Sequence, residues 1–397
     1  MTRRYRIAMV AACPLPYPRG TPIRIHHLAN ALVHRGHEVH VVTYHLGDRT
    51  AKVDYRLHRI PRVPTYRRLG PGPTYQKLLL LDPLLAIRLG RLLRSLAFDV
   101  VHAHHYEGLL TALAADAGLH LPLVFDAHTL LETELPFYPL GLSRRAKQRL
   151  GRWLDHRLPG RADQVIAVTD TIRDKLLDSG VLAPERISVI GNGVAWEHFD
   201  RPPEPAGSGR PAVRTAIFAG NLAAYQGIDL MLRAFAELLR LRRDVQLRII
   251  TESPFEPYAG LAGALGIQDR IEVVRASFAE LPAHLAAADV ALNPRVECDG
   301  VPQKVLNYMA AAKPIVSFAG SAKLLRHEDN ALVVPDGDVA AFAGAVHRLL
   351  EDDYLAGRLG ANARQLVRGQ SWAAVAERVE AVYARLVSSG VSTSGVA

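Results

Sequence analysis

The sequence predicts an α/β protein with two doubly wound parallel sheets. Strand-like runs alternate with helix-like runs twice along the chain, which is typical of strand–helix–strand units with parallel strands. At 397 residues the chain is also longer than one hydrophobic core usually supports, so two domains are expected. A stretch rich in proline, glycine and serine separates the two series.

In the first half, six short apolar runs predict strands: "YRIAMVA", "EVHVVTY", "DVVHAHH", "LVFDA", "QVIAV" and "RISVI". Between the first two lies a helix with clear boundary signals. Thr21 is its expected N-cap, Pro22 occupies its first turn and Gly36 ends it. Its apolar face carries Ile25, Leu28 and Leu32.

The second half repeats the scheme with "TAIFAG", "QLRIIT", "IEVV", "VALN", "PIVSF" and "ALVV", and it is purely helical past Ala340. The stretch "RPPEPAGSGRP" predicts a linker. We therefore expect a first domain over 1–200, a linker over 201–211, a second domain over 212–370, a closing helix over 371–388 and a disordered tail over 389–397. Ligands of such sheets bind at the carboxyl ends of the strands, so a cleft between the halves is the expected site.

The composition indicates a cytoplasmic globular protein. Hydrophobic residues make up 49% and charged residues 22% of the chain. Cys13 and Cys298 are far apart and lack a metal-binding spacing, which favours a reducing compartment. Pro14 interrupts the first apolar run too early for a signal peptide. The apolar stretch from Leu78 contains Asp82 and three arginines, so it predicts an amphipathic helix and not a membrane span.

Positive charge is concentrated in the first half. The first 160 residues hold 23 lysines and arginines against 11 aspartates and glutamates, whereas the remainder holds 25 against 28. This excess predicts an anionic partner, either nucleic acid or an anionic membrane surface. Its densest parts are "RLHRIPRVPTYRRL" and "SRRAKQRLGRWLDHRL". Few aromatic residues accompany the basic ones, which argues against nucleic acid.

The segment "SRRAKQRLGRWLDHRL" has helical spacing, with Leu150, Trp153 and Leu154 on an apolar stripe. A basic amphipathic helix with a tryptophan is typical of a membrane-surface element. An arginine-rich helix packed on its own domain is the alternative.

The turn after the first strand is a candidate anion site. Gly20 permits close approach of a ligand to the backbone, and the free amides at the start of the helix opened by Thr21 favour an anion. An ordinary strand-to-helix turn, which also favours glycine and threonine, is the alternative.

In "FDAHTLLETELP", Asp126 and His128 lie at the carboxyl end of a strand. Their side chains point to the same face because they are two residues apart. A buried hydrogen bond with a purely structural role is the alternative to a functional site. Further histidines cluster at His102, His104 and His105, but without a metal-binding spacing, so we expect no metal site.

The stretch "PRVECDGVPQKVLNYMAAAKPIVSF" carries the strongest functional signal. It leads from a strand through Gly300 into a helix whose first turn holds Lys304. A lysine there opposes the helix dipole unless an anion is bound, so we interpret Lys304 as an anion ligand, with a solvated surface lysine as the alternative. The turn in "AGNLAAYQGIDLML", with Gly220, Asn221 and Gln226, is a second candidate phosphate loop. Further along the chain, Asp336 and Asp338 resemble an acidic metal-binding motif, but their surroundings favour a turn, with Asp338 as the cap of the following helix.

Taken in order, four segments resemble the retaining GT-B glycosyltransferases of family four. "PRGTPIRIHHLANALVHRGHEVHVVT" resembles the family's opening glycine-rich loop and the strand after it. "VIGNGVAWEHF" resembles the segment before the linker, and "GIDLMLRAFAELL" the first helix of the second domain. "NYMAAAKPIVSF" resembles the family's "EAMACGKPVVAS". The resemblance spans nearly the whole chain, and four motifs in order are a specific signal.

The resemblance implies a GT-B fold, in which two Rossmann-like domains face each other across a cleft. It implies that a UDP- or GDP-sugar donor binds the second domain, that a glycan or lipid-linked acceptor binds the first, and that the closing helix crosses back to the first domain. A family histidine that contacts the transferred sugar is matched by His128. Transfer retains the anomeric configuration, and the leaving diphosphate helps to take the acceptor proton. No metal and no cofactor is then required, provided that cations and helix amides hold the diphosphate.

The chain departs from the family pattern at four charged positions. Asn221 and Gln226 stand where an arginine and a lysine are usual, and Asp299 and Asn307 stand where two glutamates are usual. Each lost charge-assisted hydrogen bond is worth ~1.5–3 kcal/mol, so the diphosphate needs a replacement cation. We expect Lys304 to supply it, because "GVPQK" resembles a family branch with a lysine near the phosphates.

Several residues complete the expected sites. We expect Arg24 to be a second cation, Asn307 to reach a ribose hydroxyl, and Thr251, with Glu252 and Ser277, to lie near the base. The expected catalytic set is Asp126, His128 and Lys304. The expected donor-binding set is Gly20, Thr21, Gly220, Asn221, Gln226, Thr251, Asp299, Gly300, Val301, Pro302 and Asn307.

A retaining glycosyltransferase is the favoured hypothesis. Its acceptor would be lipid-linked or a polysaccharide precursor if the basic helix meets a membrane, and the protein would then be peripheral on the inner face of the cell membrane. Epimerases and phosphorylases share the fold, but Glu132 and Glu134 are poor acid–base candidates, and the chain is short for a phosphorylase. A catalytically degenerate binding or scaffold protein remains the alternative, because two usual cations are missing.

Overall fold

The computed structural model of the chain describes residues 3–17, 20–69, 74–116, 118–138, 140–199 and 213–388. The chain divides into two compact units. The first unit comprises Met1–Gly193 and Trp372–Ala397, and the second comprises Val194–Ser371. The linker predicted at 201–211 and the tail predicted at 389–397 lie outside the described residues.

The first unit contains a fully parallel sheet. Its strands are β1 Arg6–Ala11, β2 Glu38–Thr43, β3 Arg56–Arg59, β4 Val100–His104, β5 Leu123–Ala127, β6 Gln164–Ala167 and β7 Ile187–Val189. They follow the order β3-β2-β1-β4-β5-β6-β7, and every neighbouring pair is parallel. The six strands predicted for this half are confirmed. The strand β3 was not predicted, because its polar residues "RLHR" pair with β2 alone at the sheet edge and lack an apolar pattern.

The helices of this unit that precede the second unit are α1 Gly20–His34, α2 Asp82–Ser95, α3 His105–Asp116, α4 Leu131–Glu134, α5 Arg144–Asp155 and α6 Asp170–Asp178. The apolar face predicted for α1 is confirmed, since Ile25, Leu28 and Leu32 are fully buried. The predicted cap is wrong: α1 begins at Gly20, so Thr21 lies inside the helix. Gly20 has a φ of 37°, and a glycine tolerates this left-handed backbone at the helix entry.

The apolar stretch from Leu78 forms a π-helical turn, Lys77–Leu81, that continues into α2. In this turn Leu79 is 77% exposed, and Leu78 and Leu80 are each 41% exposed. The amphipathic pattern predicted here is confirmed in α2, which buries Leu85, Leu89, Leu92 and Leu93. Within the described ranges, every helix is too short or too polar to cross a membrane.

The basic segment from Ser143 forms α5, and the Ser143 hydroxyl accepts a hydrogen bond from the Ala146 amide as its N-cap. Gly151 packs so closely on α4 that a Cβ there would overlap the backbone of Leu131. The helix is therefore packed on its own unit. Trp153 remains 54% exposed.

The second unit contains another parallel sheet. Its strands are β8 Arg214–Ala219, β9 Val245–Ile250, β10 Ile271–Val274, β11 Val290–Asn293, β12 Ile315–Phe318 and β13 Leu332–Val334. Their order is β10-β9-β8-β11-β12-β13, with parallel neighbours throughout. All six strands predicted for this half are confirmed. In each sheet the strand order reverses direction once, between β1 and β4 and between β8 and β11, and ligands of open parallel sheets bind at such switch points.

The helices of the second unit are α7 Ile228–Leu241, α8 Glu256–Ala264, α9 Leu281–Ala286, α10 Gln303–Ala310, α11 Val339–Glu351 and α12 Asp353–Val367. The cap predicted at Asp338 is confirmed, because its Oδ1 accepts from the Ala341 amide at 2.9 Å. Gly227, before α7, has a φ of 71°, and a Cβ there would overlap the carbonyl oxygen of Pro294. A glycine at 227 thus lets the loop after β8 pack against the segment after β11.

The closing helix, α13 Trp372–Ser388, belongs to the first unit. It packs on α1, where the Arg35 Nε lies 2.7 Å from Glu380 Oε2 and the His27 ring stacks on Trp372. From this helix the Tyr383 hydroxyl reaches 2.6 Å from the Nδ1 of His102 in β4.

Candidate functional site

Asp126 is the centre of a buried polar cluster in the first unit. It lies next to the carboxyl end of β5, and its side chain is fully buried. The guanidinium of Arg24 binds both of its oxygens, with Nε 2.8 Å from Oδ2 and Nη2 3.1 Å from Oδ1. This bidentate pairing offsets the cost of burying the carboxylate.

Three histidines surround the same carboxylate. Asp126 Oδ2 lies 3.3 Å from His104 Nδ1, 3.6 Å from His102 Nε2 and 3.7 Å from His128 Nε2. Adjacent parallel strands place His104 and Asp126 side by side, in register. The structure thus brings Asp126 and His128 together, as their spacing predicts.

Burial keeps two imidazoles of the cluster, those of His104 and His128, neutral. Burial lowers the pKa of His104 to about 4, against the pull of Asp126. Burial also lowers the pKa of His128 well below its ordinary value. For Asp126, burial would raise the pKa, but Arg24 and the neighbouring histidines hold it well below its usual range. At neutral pH an arginine–carboxylate pair therefore lies beside the neutral imidazoles of His104 and His128, and His128 can accept or donate a hydrogen bond through a ring nitrogen.

The expectation that Arg24 is a free cation for a diphosphate is wrong. Arg24 is 1% exposed. Besides Asp126, its guanidinium donates to the carbonyl oxygens of Ile190 and Gly191 at 2.9 Å and to Asn192 Oδ1 at 3.2 Å. The sequence around Arg24 does not indicate that it pairs with a buried carboxylate, because Asp126 lies 102 residues away along the chain.

His102, His104 and Asp126 each offer a ligand atom within 4.8 Å of the others, the spacing of a metal site. The donor set fits a metal poorly, because Arg24 already occupies both carboxylate oxygens and places a positive charge beside them. The Nδ1 of His102 is also engaged by Tyr383. We therefore interpret these side chains as the surroundings of the Arg24–Asp126 ion pair and not as metal ligands.

Lys304 is the centre of a second site, in the second unit. It is the second residue of α10, and it is 9% exposed. Its Nζ donates to Gln226 Oε1 at 2.7 Å and lies 4.2 Å from the ring centroid of Phe218. Gly220 lies beside its stem, since a Cβ built there would make ordinary van der Waals contact with Lys304 Cδ at 3.9 Å. The structure thus brings Lys304, Gly220 and Gln226 together at the switch between β8 and β11.

The ammonium of Lys304 has no carboxylate within ion-pair distance in the described part of the chain. Burial and, to a smaller extent, the nearby Arg295 lower its pKa to about 7. A buried cation that lacks a counter-charge is costly. This site can therefore gain from binding an anion.

The loop after β8 is held by its own side chains. Asn221 Oδ1 accepts from the Ala223 amide at 3.1 Å, and its Nδ2 donates to the Tyr225 hydroxyl at 3.3 Å. The guanidinium of Arg295 lies 4.8 Å from the ring centroid of Tyr225. Arg295 was not among the expected site residues, although its position two residues after β11, at the carboxyl end of a strand, is a signal for a candidate ligand-binding cation.

The segment before α10 contains Asp299, Gly300, Val301 and Pro302. Gly300 is buried and accepts from the Cys298 thiol at 3.0 Å, whereas Asp299, Val301 and Pro302 are half-buried. One turn after Lys304, Asn307 is 4% exposed, and its Oδ1 has no hydrogen-bond partner among the described residues. An orphan acceptor at this depth is available to a ligand hydroxyl.

Of the three residues expected near the base, two make hydrogen bonds within their own loops and the third is exposed. Thr251 is buried after β9, and its Oγ1 accepts from the Ser253 amide at 3.0 Å. The Ser277 hydroxyl donates to Glu280 Oε2 at 2.7 Å. Glu252 is exposed.

Of the remaining expected residues, Gly20 and Thr21 lie in the first turn of α1, where Gly20 is exposed and Thr21 half-buried. The expected residues therefore form two groups. Asp126, His128, Gly20 and Thr21 belong to the first unit, and the rest belong to the second.

Comparisons with known proteins match both halves of the chain. Residues 18–198 match the model described as Glycosyltransferase Family 4, and residues 213–352 match Glycosyl transferases group 1. The D-inositol 3-phosphate glycosyltransferase of Kineococcus radiotolerans is 30% identical over 328 residues, which cover 75% of this chain and 74% of that protein.

Solved structures agree on the fold. Sucrose-phosphate synthase from Thermosynechococcus elongatus superposes with a TM-score of 0.81 at 20% identity, covering 98% of this chain and 100% of that one. Anabaena HepE, in complex with UDP and glucose, has a TM-score of 0.74 at 16% identity, with 96% and 100% covered. The predicted fold, two Rossmann-like domains of the GT-B class, is confirmed. With a matching family model on each half and a relative of this similarity, the chain belongs to glycosyltransferase family 4.

Proposed function

We propose that this chain is a retaining glycosyltransferase that transfers a sugar from a UDP- or GDP-sugar to a lipid-linked or polysaccharide-precursor acceptor. The observation that carries the proposal is the buried Lys304, which donates to Gln226 beside Gly220 and lacks a carboxylate partner in the described chain. A diphosphate would supply the missing negative charge. Anabaena HepE, which shares the fold, is solved with UDP and glucose.

The neighbouring groups suit the rest of a nucleotide. We assign the diphosphate to Lys304 and Arg295, with neutral donors from the amides of Asn221 and Gln226. The residues Gly300, Val301 and Pro302 lead into the first turn of α10, whose amides favour an anion. The orphan Oδ1 of Asn307 would accept from a ribose hydroxyl.

The remaining expected residues receive roles under the same proposal. Thr251 lies near the base and Asp299 near the transferred sugar. In the first unit, His128 would contact the sugar, positioned by Asp126, and Gly20 and Thr21 would present backbone amides to the donor. Retention of the anomeric configuration and independence of a metal ion are proposed from the family resemblance. The anomeric coupling constant of the product, measured by NMR, tests retention. Activity in the presence of EDTA tests independence of a metal.

Titration calorimetry with UDP and GDP tests the donor assignment. We expect one nucleotide to bind at micromolar strength and Lys304→Ala to weaken it at least tenfold, which is about 1.4 kcal/mol. Arg233→Ala is a matched control, because it removes an exposed cation from α7 of the same unit. If neither nucleotide binds, with or without magnesium, the alternative of a catalytically degenerate scaffold replaces the proposal.

We also propose peripheral attachment to an anionic membrane, at the inner face of the cell membrane. An exposed apolar surface of the first unit supports it, formed by Tyr75, Leu78, Leu79, Leu80, Phe137 and Leu142. The Tyr75 hydroxyl donates to the Leu140 carbonyl at 2.9 Å, which joins the residues just before the π-helical turn to the loop before α5. Arg144 lies over the Phe137 ring at 5.8 Å. Apolar side chains beside arginines suit an anionic interface.

Sedimentation with vesicles of phosphatidylglycerol and phosphatidylcholine tests the attachment. Leu79→Glu and Trp153→Glu should each weaken binding at least tenfold. Tyr354→Glu is the control, since Tyr354 is 81% exposed but lies in the second unit. Equal binding by all variants, or binding that ignores phosphatidylglycerol content, would contradict the assignment.

A further inference from the structure

A second polar cluster lies beside His128 in the first unit. His105 opens α3 with a φ of 63°. A histidine rarely adopts this left-handed backbone, and such strain persists only where the surroundings hold it. The His105 ring centroid lies 6.3 Å from that of His128.

The His105 imidazole is held on both sides. Its Nδ1 contacts Glu107 Oε2, and its Nε2 lies 3.2 Å from Thr129 Oγ1 and 3.5 Å from Glu134 Oε2. We call His105, Glu107, Thr129 and Glu134 the glutamate–imidazole cluster. Its ionisable side chains are not sealed off: His105 is 17% exposed, Glu107 11% and Glu134 24%.

The cluster carries more negative than positive charge. Burial would lower the pKa of His105, but Glu107 and Glu134 outweigh it and raise the pKa to about 10. At neutral pH the cluster thus combines one imidazolium with two carboxylates. Behind it, Lys77 faces the ring of Tyr44, whose hydroxyl donates to Asp82. Among these described residues, two cationic side chains therefore accompany three acidic ones. The cations are His105 and Lys77, and the acids are Glu107, Glu134 and Asp82.

This balance is unfavourable for a phosphate and favourable for hydroxyl groups. A phosphate would meet carboxylates of like charge, and the imidazolium that could attract it is already paired. Carboxylates accept hydrogen bonds at both oxygens, and His105 contacts one oxygen of each glutamate. The cluster can therefore accept from several ligand hydroxyls, and Thr129 adds a small polar group.

We infer that the glutamate–imidazole cluster determines acceptor specificity and takes an uncharged polyhydroxyl ring, a sugar or a cyclitol, at the position next to His128. The inference rests on the proposed glycosyltransferase function, which makes the first unit the acceptor side. The basic first half of the chain predicts an anionic partner. The inference for this cluster is different, because the cluster contains no arginine.

Ligand-observed NMR titration of the full chain, saturated with the nucleotide that calorimetry identifies, tests this inference. The probes are myo-inositol and methyl α-mannoside, each paired with its phosphorylated counterpart, inositol 3-phosphate and methyl α-mannoside 6-phosphate. We expect an uncharged probe to bind at least tenfold more tightly than its phosphorylated counterpart. Glu134→Gln should reduce that preference at least fivefold, because it removes one repelling charge.

The control is Glu132→Gln, on the same short helix. Glu132 pairs with Arg152 at 3.0 Å outside the cluster, so its loss should leave the preference unchanged. The dissociation constant of the nucleotide should change less than twofold in both variants, which separates this test from that of the proposed function. Tighter binding of the phosphorylated probes, an unchanged preference in Glu134→Gln, or no binding of any probe would each overturn the inference.

Discussion

Binding of the donor nucleotide should be coupled to uptake of a proton by Lys304. In the free protein, burial and the nearby Arg295 lower the pKa of Lys304 to about 7. Its other neighbours are the ring of Phe218, the amide of Gln226 and the thiol of Cys298, whose pKa burial raises. At pH 8 most of the free protein would therefore hold a neutral amine. A diphosphate favours the charged form and should return the pKa to its ordinary range of ~10.4.

The sign and size of the effect follow from this shift. Because binding raises the pKa, the affinity is fully present below about pH 7 and is lost as the pH rises through that value. Each further pH unit should cost ~1.4 kcal/mol, a tenfold loss of affinity. Between pH 8 and pH 9 the dissociation constant should thus rise about tenfold.

Calorimetry in two buffers with different ionisation enthalpies measures both quantities. Work above pH 7.5 avoids protonation of the nucleotide itself, whose terminal phosphate has a second pKa of ~6. We expect the uptake of nearly one proton per nucleotide at pH 8.5. Lys304→Met should bind weakly, with no uptake and little dependence on pH. An affinity in the unchanged chain that stays constant from pH 7.5 to pH 9 would refute the role of Lys304.

Three further predictions concern stability, measured as the free energy of unfolding in urea. Arg24→Met should lower it by ~3–5 kcal/mol, because it leaves Asp126 buried without its cation; adding Asp126→Asn should restore part of the loss, and a loss under 1 kcal/mol would contradict the pairing. Gly227→Ala should cost at least ~2 kcal/mol through backbone strain and steric overlap, whereas Gly260→Ala, in a helix with open space around it, should be neutral or stabilising. Because the pKa of His104 is about 4 when folded and ~6.5 when unfolded, stability should fall as the pH drops from 6.5 towards 4. The expected loss is ~1.6 kcal/mol between pH 6.5 and pH 5, and His104→Gln should reduce it.

The strands were predictable because parallel strands buried on both faces are short continuous apolar runs. The strand β3 was not, since an edge strand with polar side chains lacks that pattern. The same logic applies to sites. Asp126 and His128 share a face because side chains alternate along an extended chain, and Lys304 stands out because a cation in a first helical turn conflicts with local preference.

The sequence by itself determined the fold class, the order of the strands along the chain and the loops that carry the candidate sites, because each depends on patterns within about 20 residues. Only the tertiary structure decided which charges meet. It paired Arg24 with Asp126, 102 residues away, and Lys304 with Gln226, 78 residues away. It also left Leu79 exposed. A basic residue has the same charge wherever it occurs in a sequence; whether that charge is spent on a buried carboxylate or remains for a ligand depends on which strand ends the sheet brings together.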